Sequence, residues 1–231
     1  MFQEILLHIG LPKTGTTSIQ EALAQTANQL GVHGIMFPLF PGTQSSWCNH
    51  SMPMKWLGDF SRDIPFGKYE EYLDVEKAGE TWREVEGSNQ HKLIISGESI
   101  CRFPIENLRN LEREFSKISA ENATIRILLL VRNPGSLYVS WRNEYYKHLL
   151  SDEEIASVIG PNESEQDMRL EEIVTKLRVV FPDAECTFGK FEEWAADGEL
   201  LKSFEKWADL PFSLPRLKTN ETISWEAGKL D

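Results

Sequence analysis

Residues 10 to 17 read Gly10-Leu11-Pro12-Lys13-Thr14-Gly15-Thr16-Thr17. These types at this spacing make an anion cradle. Glycines let backbone N–H groups converge, hydroxyls add donors and the ammonium supplies charge, here between a strand and the N-terminus of a helix. A plain βα turn with a polar cap is the blander reading, and the crowding of lysine and threonines around two glycines weighs against it. The nucleoside-triphosphate loop, GxxxxGK[ST], places its lysine directly after the second glycine. In this chain Thr16 follows Gly15 and the lysine comes earlier, at Lys13. A lysine at the loop apex reaches a different part of the ligand, the bridge between a phosphate and the group being transferred.

Three further residues could work with such a loop. Arg132 closes the apolar run 124–131, where a parallel strand delivers side chains to a ligand crevice, and its planar fork of donors suits a phosphate. Ser140, in the helix expected after Pro134, can add a hydroxyl to the same group. Taken alone, Arg132 reads equally as a surface arginine at a strand end. Glu98 follows the run 91–96 in Ser96-Gly97-Glu98-Ser99, at the same expected sheet edge, and is a candidate general base or an ordinary loop carboxylate. His50 lies in a stretch rich in Pro, Gly, Ser, Trp and Met, where an imidazole poised near neutral pH is the second candidate base and a hydrogen-bonded loop histidine the alternative. His8 and His91 fall on strand segments and read as structural; nothing singles out His33 or His148. Trp47, Trp56 and Phe60 either stack on a substrate or belong to the core. Arg216-Leu217-Lys218-Thr219-Asn220 is a basic patch in an acidic chain.

The elements that must hold these residues follow from periodicity. Residues 4–9 (EILLHI) form a buried strand, and Ile19, Leu23, Ala27 and Leu30 recur at helical spacing until Gly31. Thr17 with Gln20, or Ser18 with Glu21, offers a capping box for that helix. Residues 34–56 read as a long ordered loop, 68–85 and 104–116 as helices, and 91–96 and 124–131 as strands. A helix over 134–150 starts on a proline. Helices are expected at 165–180 and 199–210, with a strand at 185–191 between them. Strands alternating with helices give a mostly parallel sheet covered on both faces, in one domain over 1–231.

Composition limits the partners. Lys+Arg 24 against Asp+Glu 36 gives a net charge of −12, which argues against nucleic acid as a bulk partner and requires any anion site to be local. Cys48, Cys101 and Cys186 have neither CxxC spacing nor an even count, which suggests reduced thiols. Without a signal-like segment or a long apolar run, the expectation is a cytoplasmic protein with no membrane partner.

The segment HIGLPKTGTTSIQ resembles the 5′-phosphosulfate-binding loop of the sulfotransferase family, whose pattern is close to G-x-x-K-T-G-T-T. Val131 to Ser140 is similar to that family's 3′-phosphate motif: an arginine at a strand end, Asp/Asn-Pro, and a serine eight residues after the arginine. It departs at Leu137, where many members carry another arginine. The resemblance extends to about Tyr146 and implies a three-layer αβα domain with a P-loop-like sulfotransferase fold. It implies 3′-phosphoadenosine 5′-phosphosulfate (PAPS) as donor and 3′,5′-bisphosphoadenosine (PAP) as product. Lys13 would stabilise charge on the bridging oxygen, and the loop from Gly10, through Thr14, Gly15, Thr16 and Thr17, would hold the 5′-phosphate. Arg132 and Ser140 would take the 3′-phosphate, and Glu98 or His50 the acceptor's proton. Glu98 sits in a turn similar to the Ser-Ser-Glu of bacterial members, with Gly97 replacing one serine. The C-terminal basic patch would close over the nucleotide. No metal is expected, and the acceptor would be a carbohydrate or small-metabolite hydroxyl entering from residues 40–60. Two alternatives stay open: a P-loop nucleotide kinase, with Glu98 as its Mg²⁺-side acid, and a non-catalytic nucleotide-binding protein of the same fold.

Overall fold

The computed structural model describes residues 1–11, 13–40, 50, 53–54, 74–133, 135–137, 140 and 170–216. In chain order the strands are β1 (Phe2–Gly10), β2 (Ile35–Met36), β3 (Lys92–Ser96), β4 (Ser119–Val131) and β5 (Glu185–Lys190). The helices are α1 (Thr16–Gln25), α2 (Ala27–Val32), α3 (Val75–Glu86), α4 (Ile105–Ile118), α5 (Leu170–Val180), α6 (Phe191–Trp194) and α7 (Leu200–Ala208), with short 3₁₀ turns at Glu98–Arg102 and Ala196–Gly198. Residues 135–137 and 140 are also helical.

The sheet runs β2-β3-β1-β4-β5, and every neighbouring pair is parallel. Side chains alternate along β1. Ile5, Leu7 and Ile9 join Trp82 of α3, Leu111 and Phe115 of α4 and Leu177 of α5 in one core. Leu6 joins Ile19 and Leu23 of α1, Leu30 of α2 and Phe204 of α7 on the other face. With helices on both faces the central strands read as continuous apolar runs, and the expected three-layer α/β architecture is what the chain adopts.

The connections leaving β1 and β4 run in opposite directions, β1 toward β2 at one edge and β4 toward β5 at the other. The carboxyl ends of these two neighbours therefore border a topological switch point, where open α/β sheets bind ligands.

Several boundaries differ from expectation for local reasons. The expected first helix divides at Thr26, whose hydroxyl donates back to the carbonyls of Ala22 and Leu23 at 2.8 and 3.2 Å and so competes with the helical ladder. Neither capping box forms. Gly15, in the left-handed region (φ 73°), precedes Thr16 at the helix start, and the Gln20 amide instead donates to Ser96 O at 3.2 Å. β4 begins at Ser119, five residues before the apolar run, because Ser119 follows α4 directly and pairs with Phe2 across an irregularity. The two-residue β2 is too short to leave a period in the sequence. The far end of α7 is tied to the sheet: Lys92 Nζ donates to Ala208 O at 2.9 Å and Arg126 to Trp207 O. Glu4 balances both cations, at 2.8 and 3.0 Å.

Most of the expected 34–56 loop and 134–150 helix, residues 68–73, Trp47, Trp56, Phe60, His148 and residues 217–220 lie outside the described residues. Among the described residues no helix is long and apolar enough to cross a membrane.

Candidate functional site

Because β3, β1 and β4 are adjacent, their C-terminal ends bring the Gly10 loop, Glu98 and Arg132 to one edge of the sheet. The joins are direct. Gly97 N donates to His8 O at 3.0 Å, and Leu11 N to Leu130 O at 3.0 Å. Arg132 Nη1 donates to the Lys13 carbonyl at 2.5 Å.

The loop's shape depends on its two glycines. A β-carbon on Gly10 would lie 2.5 Å from Thr16 Oγ1 and 2.6 Å from Thr14 Oγ1, so only glycine lets these hydroxyls fold over the strand end. Gly15 combines positive φ with close packing, and a β-carbon there would run into Leu200 and approach Phe191. Lys13 is itself left-handed, at φ 65°, a conformation costing roughly 1–2 kcal/mol for a non-glycine residue. The bond from Arg132 to its carbonyl helps hold it there.

Thr14 is fully buried and its hydroxyl donates to Leu11 O at 2.6 Å. The Thr14 hydroxyl thus shapes the loop from within. Thr16 is buried beside it, hydroxyl to hydroxyl at 3.4 Å, and Thr17 is exposed. The first turn of α1 has no side-chain cap and no acidic residue. Its N–H groups and the positive end of the helix dipole thus lie at the loop with no side chain of that turn capping them.

Glu98 starts the 3₁₀ turn after β3 and is partly buried. Burial raises its pKa above the ordinary carboxylate value, and the charges of Lys13 and Arg102 pull it partway back. It is therefore a largely desolvated carboxylate within electrostatic reach of the loop lysine.

His50 is not available for that role. It is fully buried, its Nε2–H donates to Pro38 O at 2.8 Å, and its Nδ1 accepts from Ser96 N–H at 3.1 Å. Its own N–H donates to Ser96 O at 2.9 Å, and the rings of Phe37 and Phe40 lie at 4.6 and 5.5 Å. Burial lowers its pKa to about 3 against a small opposing effect of the Pro38 bond. Both ring nitrogens are committed to backbone, so His50 is a lock on the end of β3. His8 is buried likewise, with Nδ1 2.8 Å from Ser96 Oγ, and its pKa is also lowered to about 3 by burial.

Three residues at this edge escaped the sequence reading. Ser136 accepts from Arg132 Nε at 3.3 Å, one helical turn before Ser140. Of Ser140 the structure shows a helical, partly buried position. Phe191 lies under the Arg132 guanidinium, 4.7 Å from Cζ to ring centroid, and Glu192 is 3.9 Å from Arg132 Nε. The available signal was positional. Both follow the β5 strand directly, as Glu98 and Arg132 follow theirs.

Neither a family model nor a curated relative matches the sequence. The fold is similar to the crystal structure of a sulfotransferase from Alicyclobacillus acidocaldarius, with a TM-score of 0.51 and 16% identity over 96% of this chain and 87% of that one.

Proposed function

We propose that this protein is a sulfotransferase that moves a sulfuryl group from PAPS to an acceptor hydroxyl. The observation that carries the reading is the bond between Arg132 and the Lys13 carbonyl, which joins the arginine at the end of β4 to the loop that follows β1. The likeness of fold to a sulfotransferase agrees with it.

In this reading the loop N–H groups and the start of α1 hold the 5′-phosphate. Arg132, with Ser140 from the following helix, meets the 3′-phosphate. The acceptor oxygen attacks sulfur in line as the bond from sulfur to the bridging oxygen breaks. Lys13 stabilises the charge that develops on the departing phosphate, and Glu98 takes the acceptor's proton. PAP leaves with the bridging oxygen and the product is a sulfate ester. Lysine, arginine and backbone donors supply the neutralising charge, so the reading needs no metal. The acceptor we favour is a carbohydrate or small-metabolite hydroxyl.

Thermal unfolding with PAP, with and without Mg²⁺, and with ATP–Mg²⁺ separates the alternatives. Stabilisation by PAP regardless of Mg²⁺ is expected. Stabilisation by ATP–Mg²⁺ alone would refute the reading in favour of a nucleotide kinase. PAP binding with no transfer from PAPS to a broad panel of hydroxyl acceptors would favour a non-catalytic binder.

A further inference from the structure

The two residues after β5 belong to neither sequence motif, yet they meet both. Glu192 Oε1 accepts from the Asn133 backbone N–H at 3.0 Å and from the Ser136 hydroxyl at 2.5 Å. Asn133 also caps this turn with its own side chain, Oδ1 accepting from Gly135 N at 2.9 Å. The Phe191 ring underlies the Arg132 guanidinium and reaches toward Gly15 of the loop.

The direction of these bonds matters. Glu192 and the Asn133 carbonyl, 3.0 Å from Ser136 Oγ, can only accept, so the one Ser136 proton is directed to that pair and a serine lone pair turns to Arg132 Nε. Some desolvation works against ionisation of this exposed carboxylate, but the bonds from Ser136, its own backbone N–H and Asn133, with the Arg132 charge, hold its pKa below the ordinary value. With Nε directed to Ser136, Nη1 to Lys13 O and the Phe191 ring beneath, the guanidinium plane is fixed.

We propose that Glu192 is a positioning residue for the second phosphate of the donor. Through Ser136 and the Asn133 N–H it sets the orientation of Arg132 and the turn from Asn133 to Ser136, without touching the ligand. The inference rests on the sulfotransferase reading for the identity of that ligand. A residue that merely stabilised the fold would act on both phosphate subsites alike, whereas this role acts chiefly on the 3′-phosphate, with a smaller effect on the loop through the bond from Arg132 to Lys13 O.

The test is calorimetric titration of the full-length chain with PAP and with adenosine 5′-monophosphate, which lacks the 3′-phosphate. Removing an oriented charge-assisted contact typically costs about ten- to a hundredfold in affinity. Glu192→Ala is expected to weaken PAP by about that factor while the monophosphate changes by less than about threefold. Glu192→Gln keeps an acceptor oxygen toward Asn133 and Ser136 and is expected to bind PAP within about threefold of wild type. Ser136→Ala, a smaller change, should show the same selective loss and serves where Glu192→Ala folds poorly. Equal weakening of both nucleotides, or PAP affinity unchanged in Glu192→Ala and Ser136→Ala, overturns the proposal. A wild-type protein that does not prefer PAP to the monophosphate overturns the sulfotransferase reading instead, and this inference with it.

Discussion

Lowering the pH from 8 to 5 should destabilise the protein through two histidines that the fold keeps neutral. His8 and His50 are completely buried, and burial moves each from an ordinary 6.5 to about 3. Between these values the unfolded chain binds a proton at each position and the folded chain does not. Stability is therefore full above pH 6.5 and falls as the pH drops toward 3. At pH 5 the linkage amounts to about 2 kcal/mol per histidine, or about 4 kcal/mol for the pair, with a slope approaching 2.7 kcal/mol per pH unit. That is a large share of the 5–15 kcal/mol typical of a domain. Protonating His50 would also turn its Nδ1 from an acceptor into a donor facing the Ser96 N–H, so relief cannot come from a small shift. Urea unfolding followed by tryptophan fluorescence at half-unit steps measures the slope. His50→Gln should remove about half of it, because one of the two linked protons is gone. A free energy of unfolding that varies by less than about 1 kcal/mol between pH 7 and 5 would refute the reasoning.

Three other outcomes follow from the site. If Glu98 is the base, kcat/KM should rise with pH through an acidic limb lying above the ordinary carboxylate value, and Arg102→Gln should move that limb higher by removing one of the charges that restrain it. Glu98→Gln should abolish the limb and lower kcat, while PAP binding persists; a pH profile identical to wild type would remove Glu98 from the mechanism. Gly10→Ala forces a methyl group onto the Thr14 and Thr16 hydroxyls and should cost about 1–3 kcal/mol in urea unfolding together with nucleotide affinity. Gly15→Ala adds a left-handed alanine to a collision with Leu200, and should be at least as damaging in the same two measurements.

How far the site could be read in the sequence depended on which residues carry their own local signal. Glycines at 10 and 15 between an apolar run and a helical period announce a turn that turns backbone inward, and the structure has that turn. Arg132 and Glu98 were reachable because each ends a recognisable strand, and parallel strands end at one edge. Thr14 and His50 looked alike on paper to any ligand-facing hydroxyl or imidazole. Their inward commitment, to Leu11 O and to Ser96 and Pro38, is set by packing that no local pattern encodes. Glu192 and Phe191 were hidden for another reason: they meet Arg132 from nearly sixty residues away, across an edge strand whose alternation is weak.

The central claim is that the crevice between β1 and β4 holds a nucleotide bearing both a 5′- and a 3′-phosphate. Titration of wild-type protein and Arg132→Ala with PAP and adenosine 5′-monophosphate tests it most directly. The account predicts metal-independent binding of PAP at one site, about tenfold or more tighter than the monophosphate, with that preference collapsing in Arg132→Ala. Equal affinity for the two nucleotides in the wild type, or binding of ATP–Mg²⁺ alone, would contradict it.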